Sequence, residues 1–240
     1  MTEASRWVRQ IDIPQFGQES QYILKRSKAV ILGIGGVGCP AALYLAAAGV
    51  GELLLVDYDH VEMSNLNRQI LFTTSDVGKL KALVAKERIA SLDPNIKVTA
   101  RVEEINQDNI HDLICNADIV LDCLDRNDKR LLVNDTCVIN GTPAIHSFAQ
   151  DFSCQLLAVL PGKTACLRCV MDESYPESID TPVIGVATGM IGVAIAAQAI
   201  VILTQLAPVS SNRVIYDLIF SEVIKIPVEK NSSCPVCKTL

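Results

Sequence analysis

KAVILGIGGVGCPAALYLAAAGVGELLLVD, residues 28–57, holds an apolar run (Ala29 to Leu32), a glycine turn (Gly33-Ile34-Gly35-Gly36-Val37-Gly38), an alanine-rich segment and a second apolar run, Leu53 to Val56, closed by Asp57. The order reads as strand, turn, helix, strand: the front half of a nucleotide-binding βαβ unit. Glycines let backbone N–H groups approach phosphate oxygens, the helix N-terminus adds a favourable dipole, and an acid about 20 residues on can hold a ribose hydroxyl. Ala41 to Ala48 is built of strong helix formers whose small side chains let the helix lie close on a sheet. Taken alone, the stretch fits NAD, FAD or ATP.

The residues after Asp57 separate these ligands. Asp59, Ser64-Asn65-Leu66-Asn67-Arg68-Gln69 and Gly78-Lys79-Leu80-Lys81 put amides, a guanidinium and ammonium groups just past the second strand. Hydride transfer has no use for such a cluster, whereas displacement at phosphorus builds negative charge that fixed cations stabilise. An NAD-dependent oxidoreductase would leave Arg68 and Lys81 unexplained. The plainer alternative for both is a solvated charge on a loop and a helix.

The chain has 240 residues, half of them hydrophobic, which suits a sizeable core in one α/β domain spanning residues 1–240. Its divisions are an N-terminal arm (1–27), a nucleotide-binding part (28–165) and a C-terminal part (166–240). A net charge of -6 argues against nucleic acid or an anionic membrane as the main partner. No secretion signal is apparent, and nine cysteines in a cytoplasmic protein point first to thiols and metal. Val183 to Ala207 carries no formal charge and is long enough to span a bilayer. Its Gly, Ala, Thr and Gln content suits packing inside protein better, so no membrane partner is expected.

Further strands are expected at Ile96 to Val102, Ile119 to Leu121, Pro143 to Phe148 and Gln155 to Leu160, with helices at Lys79 to Leu92, Asn106 to Cys115 and Asn127 to Ile139. Arg213 to Leu218 and Glu222 to Val228 continue the sheet as antiparallel strands. The fold class is therefore α/β and Rossmann-like, a mainly parallel sheet with antiparallel strands added and helices on both faces. Asp122 and Asp125 fall at the carboxyl end of a parallel strand, the edge where ligands bind. Asp125 can hold Mg²⁺ near phosphates, or cap the helix that follows. His146 reads as a core or sheet-edge residue with no triad around it.

Cys166-x-x-Cys169 and Cys234-x-x-Cys237 have the spacing of a four-thiolate Zn²⁺ site. Such a site is closed to water, hence structural, and would pin the C-terminal tail to the loop after the sheet; a redox pair is the alternative for a single Cys-x-x-Cys. Cys39, Cys115, Cys123, Cys137 and Cys154 read as small core residues.

Arg6-Trp7-Val8-Arg9-Gln10-Ile11, the Gly33 to Gly38 turn, Asp57-x-Asp59 through Arg68-Gln69, Gly78-Lys79-Leu80-Lys81, Asp122-Cys123-Leu124-Asp125 and the two cysteine pairs, in this order, resemble the ubiquitin-activating-enzyme-like adenylyltransferases. These activate molybdopterin synthase and the thiazole-biosynthesis sulfur carrier, and the resemblance covers nearly the whole chain. It implies attack of a carboxylate on the α-phosphate of ATP, giving an acyl-adenylate and pyrophosphate. Under it Gly33, Gly35, Gly36 and Gly38 face the phosphates, Asp57 and Asp59 stand at the ribose end, and Asn65, Arg68, Gln69 and Lys81 serve the triphosphate. Asp125 takes Mg²⁺. Arg9 acts from the partner subunit of a homodimer, with the Val183 to Ala207 helix buried near the dimer interface.

Two departures from the family stand out. Arg126 follows Asp125 where Asn is usual, and Ser178, in the polar segment Asp172 to Ser178, falls about where thiazole-type relatives carry a transfer cysteine. The acyl-adenylate is therefore expected to pass directly to a separate acceptor enzyme. The chain ends three residues after Cys237, so no appended sulfurtransferase domain is expected. The resemblance favours the C-terminal glycine of a ubiquitin-like sulfur carrier as substrate. The alternative is a small carboxylic acid in cofactor assembly, such as the pyridinol carboxylate of the iron-guanylylpyridinol cofactor, and a nucleotide-binding scaffold without activity is a further one.

Overall fold

A computed structural model describes residues 6–171, 174 and 181–238. Eight strands form one sheet: β1 (Lys28–Leu32), β2 (Glu52–Val56), β3 (Lys97–Arg101), β4 (Ile119–Asp122), β5 (Ala144–Gln150), β6 (Ser153–Val159), β7 (Asn212–Asp217) and β8 (Glu222–Pro227). Their spatial order is β3-β2-β1-β4-β5-β6-β7-β8. The first five pair in parallel and the last three add antiparallel, β5 joining β6 across a tight hairpin with Asp151 at φ 52°.

Alternate residues of each parallel strand serve opposite faces, as strand geometry requires. Ala29, Ile31, Leu53, Leu55, Ile119 and Leu121 pack with α2 (Gly17–Arg26), α3 (Gly38–Ala48), α4 (Lys81–Leu92) and α7 (Gly185–Thr204). Val30, Leu32, Leu54, Val56 and Val120 face α5 (Ile110–Ile114) and α6 (Asn127–Asn140). The strand runs read from the sequence hold to within a few residues because these near-continuous apolar runs must be covered on both sides.

One expectation changes and one segment gains structure. In the N-terminal arm, from residue 6 on, α1 (Val8–Ile11) and α2 dock on the body, with Trp7, Phe16 and Leu24 buried. Trp7 Nε1 donates to Ala47 O (3.0 Å), and Gln10 and Gln21 both donate to Ala48 O (2.8 and 3.1 Å), satisfying carbonyls left open where α3 ends. The helix expected over Asn106 to Cys115 shortens to α5, because Asn106 Oδ1 accepts the N–H groups of Asp108 and Asn109 while Asn109 Oδ1 accepts that of Asn106. Those local bonds compete with the helical ladder.

The uncharged helix α7 is long and apolar enough to cross a bilayer, and here it lies against α3 and the sheet through Ala187, Ile191, Ile195 and Ala199. A Cβ on Gly192 would stand 2.4 Å from Pro40 Cγ and 2.5 Å from Val37 O, so glycine sets the closeness of α3 and α7. Val186, Met190 and Val193 remain exposed. Of the segment Asp172 to Ser178 only Ser174 is described; Ser178 lies outside the described residues.

Candidate active site

A cavity of about 470 Å³ opens at the carboxyl edge of the parallel strands. Gly33, Gly35, Gly36, Asp57, Asp59, Arg68, Gln69, Lys81 and Asp125 line it; Gly38, Asn65 and Arg9 do not. The turn after β1 explains the convergence. Gly33 has φ +90°, and a Cβ there would meet Cys123 O at 2.8 Å, so only glycine lets β1 leave the sheet beside β4. Gly38 begins α3, where a Cβ would collide with Gly33 O at 2.0 Å. It holds the turn closed from behind.

Asp57 ties β2 to this turn. Its Oδ2 accepts the Ile34 N–H (2.7 Å) and its Oδ1 that of Asp59 (2.8 Å). Burial raises its pKa, and the nearby Lys81 and the two backbone donors oppose that rise. Lys81, the first residue of α4, is buried and donates to Asp59 Oδ2 at 2.9 Å. The half-exposed Asp59 carboxylate thus holds the Lys81 ammonium at the cavity wall. Arg68 Nη1 donates to Ser64 O (3.0 Å) and Asn67 Oδ1 (3.1 Å), which fixes one edge of its guanidinium with neutral partners.

Asn65 is spent on local structure: its Oδ1 accepts the Glu62 N–H at 3.1 Å in a reciprocal cap of the turn Met63–Asn65. It thereby positions Arg68 and Gln69, whose N–H groups both donate to Asn65 O (3.0 and 2.9 Å). Gln69 is buried, and among the described residues its Oε1 has no hydrogen-bond partner. Asp125 is exposed at the cavity rim. Arg126 is the N-cap residue of α6 and pairs with Asp128 through two bonds of 3.1 and 3.0 Å.

Arg9 lies exposed on α1. Because α1 is anchored at the end of α3 remote from the glycine turn, an eleven-residue helix, about 16 Å, separates it from its own chain's cavity.

The sequence reading passed over one group of site residues. Arg130, Ser147, Phe148 and Gln155 also line the cavity, beneath which Asp122 and His146 are fully buried. With its proton on Nδ1, His146 donates to Asp122 Oδ2 at 2.7 Å. Burial pushes Asp122 upward, but Arg130 and His146 outweigh it and its pKa is lowered. The signal for Arg130 was available in helical spacing, since it shares a face with Val133, Asn134 and Cys137, three, four and seven residues on. Cys123 also lines the cavity, but burial and then Asp122 push its thiol far up, which keeps it protonated and unreactive.

Behind Phe148, which packs against them, Cys166, Cys169, Cys234 and Cys237 bring their Sγ atoms within 4.8 Å of one another. The pairs Cys166 to Cys234 and Cys169 to Cys237 stand 3.6 and 3.4 Å apart. A tetrahedral zinc with bonds of about 2.3 Å requires sulfur separations near 3.8 Å, so the cluster can hold a metal. Leu131, Val138, Leu157 and Val159 pack around it.

Comparison with known proteins agrees with this geometry. A sulfur carrier protein adenylyltransferase of Thermus thermophilus is 36% identical over 98% of this chain and 91% of its own length. The sulfur carrier protein ThiS adenylyltransferase of Escherichia coli is 37% identical over 97% of this chain and 94% of its own. Among solved structures, Escherichia coli MccB with MccA-N7isoASN superposes with a TM-score of 0.87 at 27% identity, covering 97% of this chain and 74% of that one. The ThiF family matches residues 7–236, and with relatives this similar over almost their whole length, the chain belongs to the ThiF family.

Proposed function

We propose that this chain is an ATP-dependent adenylyltransferase that activates the C-terminal glycine of a ubiquitin-like sulfur carrier protein. The observation that carries the reading is one cavity in which the glycine turn, Asp57, Arg68, Lys81 and Asp125 converge, in a chain whose relatives are named for that reaction. A carboxylate oxygen attacks the α-phosphorus. The bond from that phosphorus to the oxygen bridging the β-phosphate breaks, and its electron pair leaves with pyrophosphate. No proton moves, so the catalyst has to neutralise charge and hold the groups in line.

In this assignment the backbone of Gly33, Gly35 and Gly36 cradles the phosphates, Gly38 closes the turn behind them, and Asp57, with Asp59 beside it, receives the ribose. Arg68 and Lys81 stabilise the charge that builds on the phosphates, Gln69 contacts them, and Asn65 holds the turn that presents both Arg68 and Gln69. Asp125, an exposed carboxylate on the rim, suits Mg²⁺, which prefers one or two carboxylates and retained waters. When bound, the ion would neutralise phosphate oxygens. Zn²⁺ in the four cysteines would be structural. Arg9 is exposed and does not line its own chain's cavity, which supports a homodimer in which it serves the partner's. A cytoplasmic setting and a separate acceptor enzyme complete the reading.

The test is ATP–pyrophosphate exchange by zinc-loaded protein, offered sulfur carrier proteins and, separately, aromatic and heteroaromatic acids. Exchange with a carrier supports the proposal. Exchange only with a small acid transfers the chain to cofactor assembly, and ATP binding without exchange on any substrate leaves a nucleotide-binding scaffold.

A further inference from the structure

The cavity extends past the glycine turn in the direction β1, β4, β5, away from Asp57, which follows β2. Neighbouring strands lie about 4.8 Å apart, so the β5 side stands roughly 10 Å from the turn after β1, beyond the reach of the phosphate cradle. The cation there is Arg130. It is 5% exposed, its guanidinium carbon lies 4.2 Å from the Phe148 ring centroid, and its Nη1 donates to Ser147 O. Among the described residues its Nε has no partner. A guanidinium carries five N–H donors, so this one is buried with most of its capacity unspent.

Asp122 would be the natural partner, yet it stands 3.8 Å from Arg130 Nη1, in Coulombic range but outside hydrogen-bond range. Its oxygens are engaged elsewhere, Oδ2 by His146 Nδ1 (2.7 Å) and Oδ1 by the Leu124 N–H (3.1 Å). His146 thus occupies the oxygen that would otherwise turn onto Arg130. Of the other cavity cations, Lys81 pairs with Asp59, Lys129 with Glu104 and Arg126 with Asp128, while Arg68 is held by two neutral acceptors at the phosphate end.

We propose that Arg130 is the receptor for the substrate's terminal carboxylate, and that His146 is a positioning residue that holds Asp122 off the guanidinium's hydrogen-bond donors. The proposal rests on the adenylyltransferase reading and adds to it the subsite of the attacking group. Phe148 sets the plane of the guanidinium, and the carboxylate docks on it until the α-phosphate is in line.

The experiment is steady-state ATP–pyrophosphate exchange with the carrier or acid that supports it in the wild type, for Arg130→Lys, Arg130→Gln, His146→Ala and His146→Asn. ATP binding by calorimetry serves as the test of folding. The expected result is a KM for the carboxylate substrate raised about 10- to 100-fold in both Arg130 variants, with the KM for ATP within about twofold of wild type. His146→Ala should raise the same KM about tenfold, and His146→Asn, which keeps an N–H for Asp122, should return most of it. An unchanged carboxylate KM in Arg130 variants that bind ATP overturns the inference. So does an equal rise in the ATP KM, which would place Arg130 on the phosphates. If Arg130 variants fail to bind ATP, the His146 pair decides: equal loss in Ala and Asn variants overturns the positioning role and the proposal with it. Wild-type protein without exchange on any acid sinks the adenylyltransferase reading itself, a distinct outcome.

Discussion

Arg68 is anchored by two neutral acceptors, so its substitution removes a charge from the cavity without orphaning a carboxylate. Arg68→Ala should therefore leave the melting temperature near wild type while lowering kcat for exchange about 10²-fold, the scale of one lost oxyanion donor. Exchange at the wild-type rate would remove Arg68 from the site. Asp76 behaves oppositely. It is buried in the loop before α4, caps the turn Thr74–Asp76 with Thr73, and accepts bonds from Lys79 and Arg88, which hold its pKa far below the usual range, Lys79 contributing most. A depressed folded-state pKa means stability fully present above the unfolded value of about 3.9 and lost as pH falls through the folded one. Asp76→Asn should lower the melting temperature by about 2–4 °C at pH 7, the equivalent of one lost cap, and the gap should begin to narrow below pH ~4, closing only as the folded-state value is approached. A gap of constant size down to pH 3 would contradict this.

At the scale of elements, the contact between α3 and α7 governs how rigidly the glycine turn is held, since α3 starts at that turn. Gly192→Ala puts a Cβ against the Val37 carbonyl and the Pro40 ring, neither of which can rotate aside. We expect a loss of about 1–3 kcal/mol, read by denaturant titration, together with weaker ATP binding because Val37 belongs to the turn. Full stability in Gly192→Ala would show that α7 shifts freely on α3. The same contact accounts for α7 as a core helix: its small residues sit on α3 and the sheet, while a stripe through Val186, Met190 and Val193 stays uncovered.

For the whole molecule, two arrangements are open to direct test. If Arg9 serves the partner's cavity, Arg9→Ala and Arg68→Ala subunits are each inactive alone but complement when mixed. The mixed dimer has one cavity with Arg68 present and Arg9 supplied by its partner, so equal mixing should restore about a quarter of wild-type exchange. No recovery on verified subunit exchange would end the trans assignment. The cysteine cluster should bind one zinc per chain by elemental analysis, and chelation should lower the melting temperature by at least about 5 °C, because metal affinity is folding free energy for a tail otherwise held by few contacts. Zinc-free protein with an unaltered melting temperature would make the cluster a plain packing contact.

The sequence by itself determined the strands, the glycine turn, the cation cluster and the cysteine spacing, because each rests on local rules: apolar runs for buried strands, glycine where φ is positive, ligand types at fixed intervals. That Gly33, Asp57, Lys81 and Asp125 would line one cavity was legible for this reason, since each lies within a few residues of the strand end or turn that places it. Only the tertiary structure decided that residues 6–26 form docked helices, that Asn65 caps a turn away from the cavity, and that Asp122, Arg130 and His146 meet under it. The last three lie on β4, α6 and β5, and no periodicity links them. Parallel pairing sets Asp122 opposite His146 across β4 and β5, and burial makes their bond obligatory. Local spacing cannot encode a contact that exists only once the sheet has chosen its strand order.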